Sequence, residues 1–88
     1  MKRILFVDDE PRILGGLKRL LYQYRREYVM DFVNSGAEAL ERFNEQPYDV
    51  VVTDMKMPGM SGCELLRIIQ DKYPQAIRII LSGHTELE

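Results

Sequence analysis

The chain has 88 residues, of which 45% are apolar and 30% charged, with six glycines and four prolines; that composition excludes a disordered or fibrous chain and leaves room for one small domain. Twelve basic against fourteen acidic residues leave a net charge of −2, which gives no overall attraction to nucleic acid or anionic lipid, so no direct nucleic-acid partner is expected. A single cysteine, Cys63, excludes an internal disulfide or a cysteine metal cage, and no apolar run approaches the roughly 20 residues of a membrane helix, so a cytoplasmic domain without a membrane partner is expected.

In chain order, Ile4, Leu5, Phe6 and Val7 form a continuous apolar run of the kind found in strands buried on both faces of a parallel sheet. A helix is predicted to start near Pro11. Its apolar stripe is Ile13, Leu14, Leu17, Leu20, Leu21 and Tyr24, and Arg12, Lys18, Arg19, Arg25 and Arg26 form a solvated face around it. Val29, Met30, Phe32 and Val33 read as a second strand, weakened by Asp31 as a strand nearer an edge is.

Ser35 followed by Glu38 makes a capping-box pattern ahead of Ala37, Leu40 and Phe43. The third strand is the clearest, Val50, Val51, Val52 and Thr53. A second capping box, Ser61 with Glu64, precedes Leu65, Leu66, Ile69 and Tyr73, and Cys63 is expected to be a buried or half-buried residue of that helix. Pro47 and Pro74 stand where these helices should end. Ile77, Ile79, Ile80 and Leu81, interrupted by Arg78, make the fourth strand. The order β α β α β α β implies right-handed crossovers and a parallel sheet with helices on both faces.

An open α/β sheet forms its binding crevice at the carboxyl ends of its strands. Asp8 and Asp9 directly follow the first strand and Asp54 directly follows the third; neighbouring strands would bring these ends within roughly 5 to 10 Å. Clustered carboxylates repel unless a cation sits among them, and magnesium takes oxygen ligands, commonly one or two carboxylates, waters and a phosphate. Asp9 and Asp54 as direct ligands, Asp8 through water and the Lys56 main-chain carbonyl would fit such a site. A phosphoryl oxygen would be the missing ligand, and one aspartate the nucleophile. The alternative is that Asp8, Asp9 and Glu10 simply complement the N-terminus of the first helix, and spacing alone does not separate the two.

The stretches ILFVDDEP (Ile4 to Pro11), DVVVTDMKMPGMSG (Asp49 to Gly62) and IRIILSGH (Ile77 to His84) resemble the receiver domain of two-component response regulators. The resemblance implies a flavodoxin-like fold with strand order 2-1-3-4 over residues 1–86; Leu87 and Glu88 resemble a dipeptide left by a cloning site. It implies that Asp54 accepts a phosphoryl group from a sensor histidine kinase or phosphotransfer protein. Asp8 and Asp9 would be the acidic pair that binds Mg2+, with the Lys56 main-chain carbonyl as third protein ligand. Ser82 would be the switch hydroxyl, and Gly83 the small residue leaving backbone room beside the phosphate. Met57 to Gly62 match the loop after the acceptor and read as tight loop geometry. His84 reads as a solvent-facing loop residue rather than a metal ligand or phosphohistidine.

The same resemblance implies a fourth helix, a fifth strand and a fifth helix that this sequence does not contain, nor an output domain. It therefore reads as a C-terminally truncated receiver, and no residue can be assigned to the family's phosphate-pairing lysine or aromatic switch. Impaired phosphorylation is expected. Self-association is also expected, through the exposed edge from Ile77 to Leu81 or by exchange of elements, or else a poorly stable monomer. The resemblance implies no enzyme beyond self-phosphorylation and autodephosphorylation. Two other readings stay open: a magnesium-dependent phosphohydrolase, disfavoured because Lys56 stands where many such enzymes carry a second acid, and an interaction module with a vestigial acidic site.

Overall fold

A computed structural model describes residues 1–81. The elements are β1 (Lys2–Val7), α1 (Pro11–Leu21), a single 3-10 turn at Tyr22–Tyr24, β2 (Tyr28–Val33), α2 (Gly36–Glu45), β3 (Val50–Asp54), α3 (Gly62–Lys72) and β4 (Ile77–Leu81). All four strands are parallel in the order β2-β1-β3-β4. Ser82, Gly83 and His84, and the expectations placed on them, lie outside the described residues.

Strand alternation divides the apolar residues between two layers. Leu5 and Val7 of β1, Val33 of β2 and Val51 of β3 point to one side, where Ala39 and Phe43 of α2 and Leu65 and Ile69 of α3 close over them. Tyr48 and Ala76 complete this core. On the opposite face Phe6 and Phe32 stack at 5.0 Å and the Lys18 ammonium of α1 lies 5.5 Å from the Phe32 ring. No residue of α1 is fully buried, although the helix is amphipathic. It lies toward β2 and leaves the same-face residues of β4 uncovered: Ile77, Ile79 and Leu81 are 59, 42 and 46% exposed.

The helix ends follow local chemistry, with three departures from the sequence pattern. The Ser61–Glu64 capping box of α3 is complete, at 3.0 and 3.1 Å. At α2 only half forms: the Ser35 hydroxyl accepts from the Glu38 N–H at 3.1 Å, but the Glu38 carboxylate reaches past Ser35 to the Asn34 N–H at 3.4 Å. The first α-helix stops at Leu21 rather than running through Tyr24. There the Tyr22 carbonyl accepts from the Arg25 N–H at 3.1 Å and from its guanidinium at 3.0 Å, which favours a tighter turn. Cys63 is exposed, not buried, because the buried stripe of α3 runs through Gly62, Leu65 and Ile69.

Asp31, the charge that weakened the β2 pattern, points to the core side, and the structure partners it. The buried Tyr48 hydroxyl donates to its carboxylate, and the Arg3 guanidinium lies 3.9 Å from the same group and over the Tyr48 ring. Burial pushes the Tyr48 phenol above its ordinary value, and the hydrogen bond to Asp31 adds to the shift. A phenol raised on folding contributes stability that is full below the ordinary tyrosine value and is lost as pH rises through the raised one. Tyr48→Phe is therefore expected to cost about 1 kcal/mol at neutral pH and to flatten the alkaline loss of stability, both read from urea unfolding across pH.

Candidate phosphoacceptor and metal site

The parallel register brings the ends of β1 and β3 together, with Val7 opposite Thr53 and Val33. Immediately beyond, Asp8, Asp9 and Asp54 each offer a carboxylate oxygen, all within 4.8 Å of one another. The three acids read from the sequence thus converge as expected. None of them is the N-cap of α1, which is Glu10, whose side chain makes no capping hydrogen bond, and no acid lies in the first turn.

Local hydrogen bonds hold the β1 end in place. The Asp8 N–H donates to the Val33 carbonyl at 3.2 Å, and the Asp8 carboxylate accepts from the Glu10 N–H at 2.9 Å. This short turn aims the Asp8 carboxylate inward ahead of Pro11, which needs no N–H partner. Burial pushes the Asp8 carboxyl above its ordinary value; the Glu10 N–H opposes the shift, and the charges of Asp54, Asp9 and Glu10 reinforce it. Glu10 is itself paired at the rim with Arg12, at 3.6 Å.

The donor set suits a hard divalent cation. Neighbouring ligands in a magnesium octahedron are about 3 Å apart and opposite ones about 4.2 Å, so three oxygens within 4.8 Å need only small side-chain adjustments. With no nitrogen or sulfur ligand in the cluster, softer metals have no advantage.

Lys56 lies in the exposed loop two residues past Asp54. That loop is tightly built. Gly59 has φ of +81°, a left-handed conformation that glycine adopts without strain, and the Met60 N–H donates to the Pro58 carbonyl at 3.0 Å. Leu81 pairs with Asp54 in the ladder.

Two contacts behind Asp54 escaped the sequence reading, which took Thr53 and Gly62 as strand and loop residues. The fully buried Thr53 hydroxyl donates to the Asp54 carbonyl at 3.0 Å. The Gly62 N–H donates to the Met55 carbonyl at 2.8 Å. A Cβ on Gly62 would overlap the Asp54 carbonyl oxygen and lie 3.0 Å from its carbon. The available signal was a hydroxyl closing an apolar run directly before an acid.

The family model for the response regulator receiver domain matches residues 4–88. Among curated relatives, the transcriptional regulatory protein ResD of Bacillus subtilis is 42% identical over 86 residues, covering 96% of this chain. The chain spans only 34% of ResD, and 17% of the hydrogenase regulator HoxA of Cupriavidus necator, to which it is 36% identical. Among solved structures, the response regulator TrrA of Thermotoga maritima in complex with Mg2+ and BeF is 42% identical, with a TM-score of 0.86 over 97% of this chain and 72% of that one. A structure of TrrA with the histidine kinase ThkA matches at 41% identity and a TM-score of 0.84, covering 100% of this chain and 76% of that one.

Proposed function

This chain belongs to the response regulator receiver domain family of two-component signal transduction, and from that premise we propose that Asp54 is its phosphoacceptor. The observation that carries this reading is the convergence of Asp8, Asp9 and Asp54 at the carboxyl ends of β1 and β3. The donor would be a phosphohistidine of a sensor histidine kinase or phosphotransfer protein; the kinase complex of TrrA supports that class of partner.

An Asp54 carboxylate oxygen attacks phosphorus, a P–O bond forms, and the P–N bond breaks with its electron pair going to the imidazole, which takes up a proton. Asp8, Asp9, Asp54 and the Lys56 main-chain carbonyl would hold Mg2+. The ion, when bound, supplies positive charge to the phosphoryl oxygens and offsets repulsion from the three carboxylates. Ser82 would provide the switch hydroxyl, and Gly83 the backbone room beside the phosphate. The chain acts on itself only, by phosphorylation and autodephosphorylation, and turns over no separate substrate. Among the described residues no helix is long and apolar enough to cross a membrane, which fits a receiver working in the cytoplasm.

Incubation with acetyl phosphate and Mg2+ tests the reading. The expected result is a phosphoryl mass increment that is labile to hydroxylamine, maps to the peptide containing Asp54 and disappears with EDTA. A phosphomonoester turned over catalytically, or an increment on another residue, would overturn it.

We also propose self-association of this chain along β4. Among the described residues no strand pairs with its outer edge. Arg78, the strand's one charge, does not guard that edge: its guanidinium donates to the Pro74 and Ala76 carbonyls at 3.3 and 2.9 Å. Sedimentation at micromolar concentration is expected to show a dimer or larger species, and a well-folded monomer would refute the proposal.

A further inference from the structure

The Asp54 main chain is held by contacts that the acceptor reading does not itself require. Among the described residues Thr53 is the one polar residue with a fully buried side chain, and its hydroxyl donates to the Asp54 carbonyl. A buried hydroxyl is costly without a hydrogen bond, and in an all-apolar run a valine would fill the same space. Its other neighbour is the Met57 sulfur at 3.9 Å, a weak acceptor.

The second hold is the N-terminus of α3. Gly62 is the first residue of that helix, and its N–H is bonded to the Met55 carbonyl at 2.8 Å. Its α carbon sits so close to the Asp54 carbonyl that any side chain would displace backbone on one side or the other, since the obstructing atoms belong to Asp54 and Met55 rather than to a flexible side chain. Helix α3 cannot easily yield, because Leu65 and Ile69 are locked in the core and the Ser61–Glu64 box fixes its first turn.

We propose that Thr53 and Gly62 are positioning residues that clamp the main chain of Asp54 and so set where its carboxylate meets those of Asp8 and Asp9. The proposal rests on the reading of Asp54 as phosphoacceptor in a Mg2+ site and adds how this chain places it. Neither residue is among the proposed metal ligands or the proposed acceptor. Both act through the peptide that carries Asp54, as supporting groups behind metal ligands do elsewhere.

The test uses the full chain and three variants, Thr53→Val, Thr53→Ser and Gly62→Ala, with Mg2+ affinity read from backbone amide shifts and stability from urea unfolding. Thr53→Val is expected to stay folded and weaken Mg2+ binding about tenfold, the lower end for losing such support. Thr53→Ser keeps the hydroxyl and is expected to restore affinity. Gly62→Ala is expected to weaken Mg2+ at least as much as Thr53→Val; if it does not fold, the Val and Ser pair decides. Wild-type affinity in folded Thr53→Val, or equal losses in Thr53→Val and Thr53→Ser, overturns the clamp. Absence of Mg2+ shifts around Asp8, Asp9 and Asp54 in the wild-type chain would instead overturn the acceptor reading on which the clamp rests.

Discussion

Replacing Asp54 with Asn is expected to abolish the hydroxylamine-labile phosphoryl adduct and, in the same protein, to raise thermal stability in the absence of divalent ions. The first effect is complete because a carboxamide has neither the charge nor the lone-pair basicity to attack phosphorus. The second follows from the crowding of Asp8, Asp9 and Asp54 within 4.8 Å. Burial raises the Asp8 carboxyl, and the Asp54 charge raises it further. A carboxyl raised on folding contributes stability that is full below the ordinary carboxylate range and is lost as pH rises through the raised value, so at neutral pH the cluster stands at a cost.

Removing one charge relieves a like-charge contact on the order of 1 kcal/mol in the water-like dielectric of an open site, which is about 4–8 °C in Tm for a domain of this size. Calorimetry in EDTA should show this gain, and Mg2+ should stabilise the wild-type chain more than Asp54→Asn. An adduct that survives the substitution would remove Asp54 from the acceptor role. A loss of stability in EDTA would show that the cluster is not under electrostatic tension.

Leu65→Ala is expected to unfold a large fraction of the molecule. Leu65 is fully buried between α3 and the sheet, and truncating such a residue costs about 2–5 kcal/mol. A chain of this length has on the order of 4–13 kcal/mol to lose, and with its core on a single face of the sheet it belongs toward the low end. The same substitution at Leu20 of α1, which is 65% exposed, should change stability by no more than about 0.5 kcal/mol. Urea midpoints for the pair measure the asymmetry between the two faces directly. Similar losses at both positions would mean that α1 is packed in solution, as a self-associated form burying that face would require.

Much of the fold could be read without coordinates, because its elements carry local signals. The apolar runs of β1 and β3, the Ser61–Glu64 box and the prolines after α2 and α3 act over a few residues, where periodicity and capping chemistry dominate. Elsewhere the pattern gave way, to a competing local bond where Glu38 found the Asn34 N–H and Arg25 took the Tyr22 carbonyl and shortened α1. Tertiary packing decided where Cys63 turned outward once Leu65 and Ile69 claimed the core. Asp31 weakened a strand pattern only because its partners, Tyr48 and Arg3, are remote in sequence.

By itself the sequence determined the kind of domain and the placing of three acids: a parallel α/β sheet, with Asp8, Asp9 and Asp54 at the ends of its strands. These follow from alternation and adjacency, which the order of residues contains. Only the tertiary structure decided that the three carboxylates meet within one ion's reach, that the core lies under α2 and α3 while α1 buries nothing fully, and that Thr53 and Gly62 meet the main chain of Asp54. The reason is physical. Each of these depends on through-space distances between strands and helices that are far apart along the chain, and such distances are set by the register of the sheet and the packing of the helices on it.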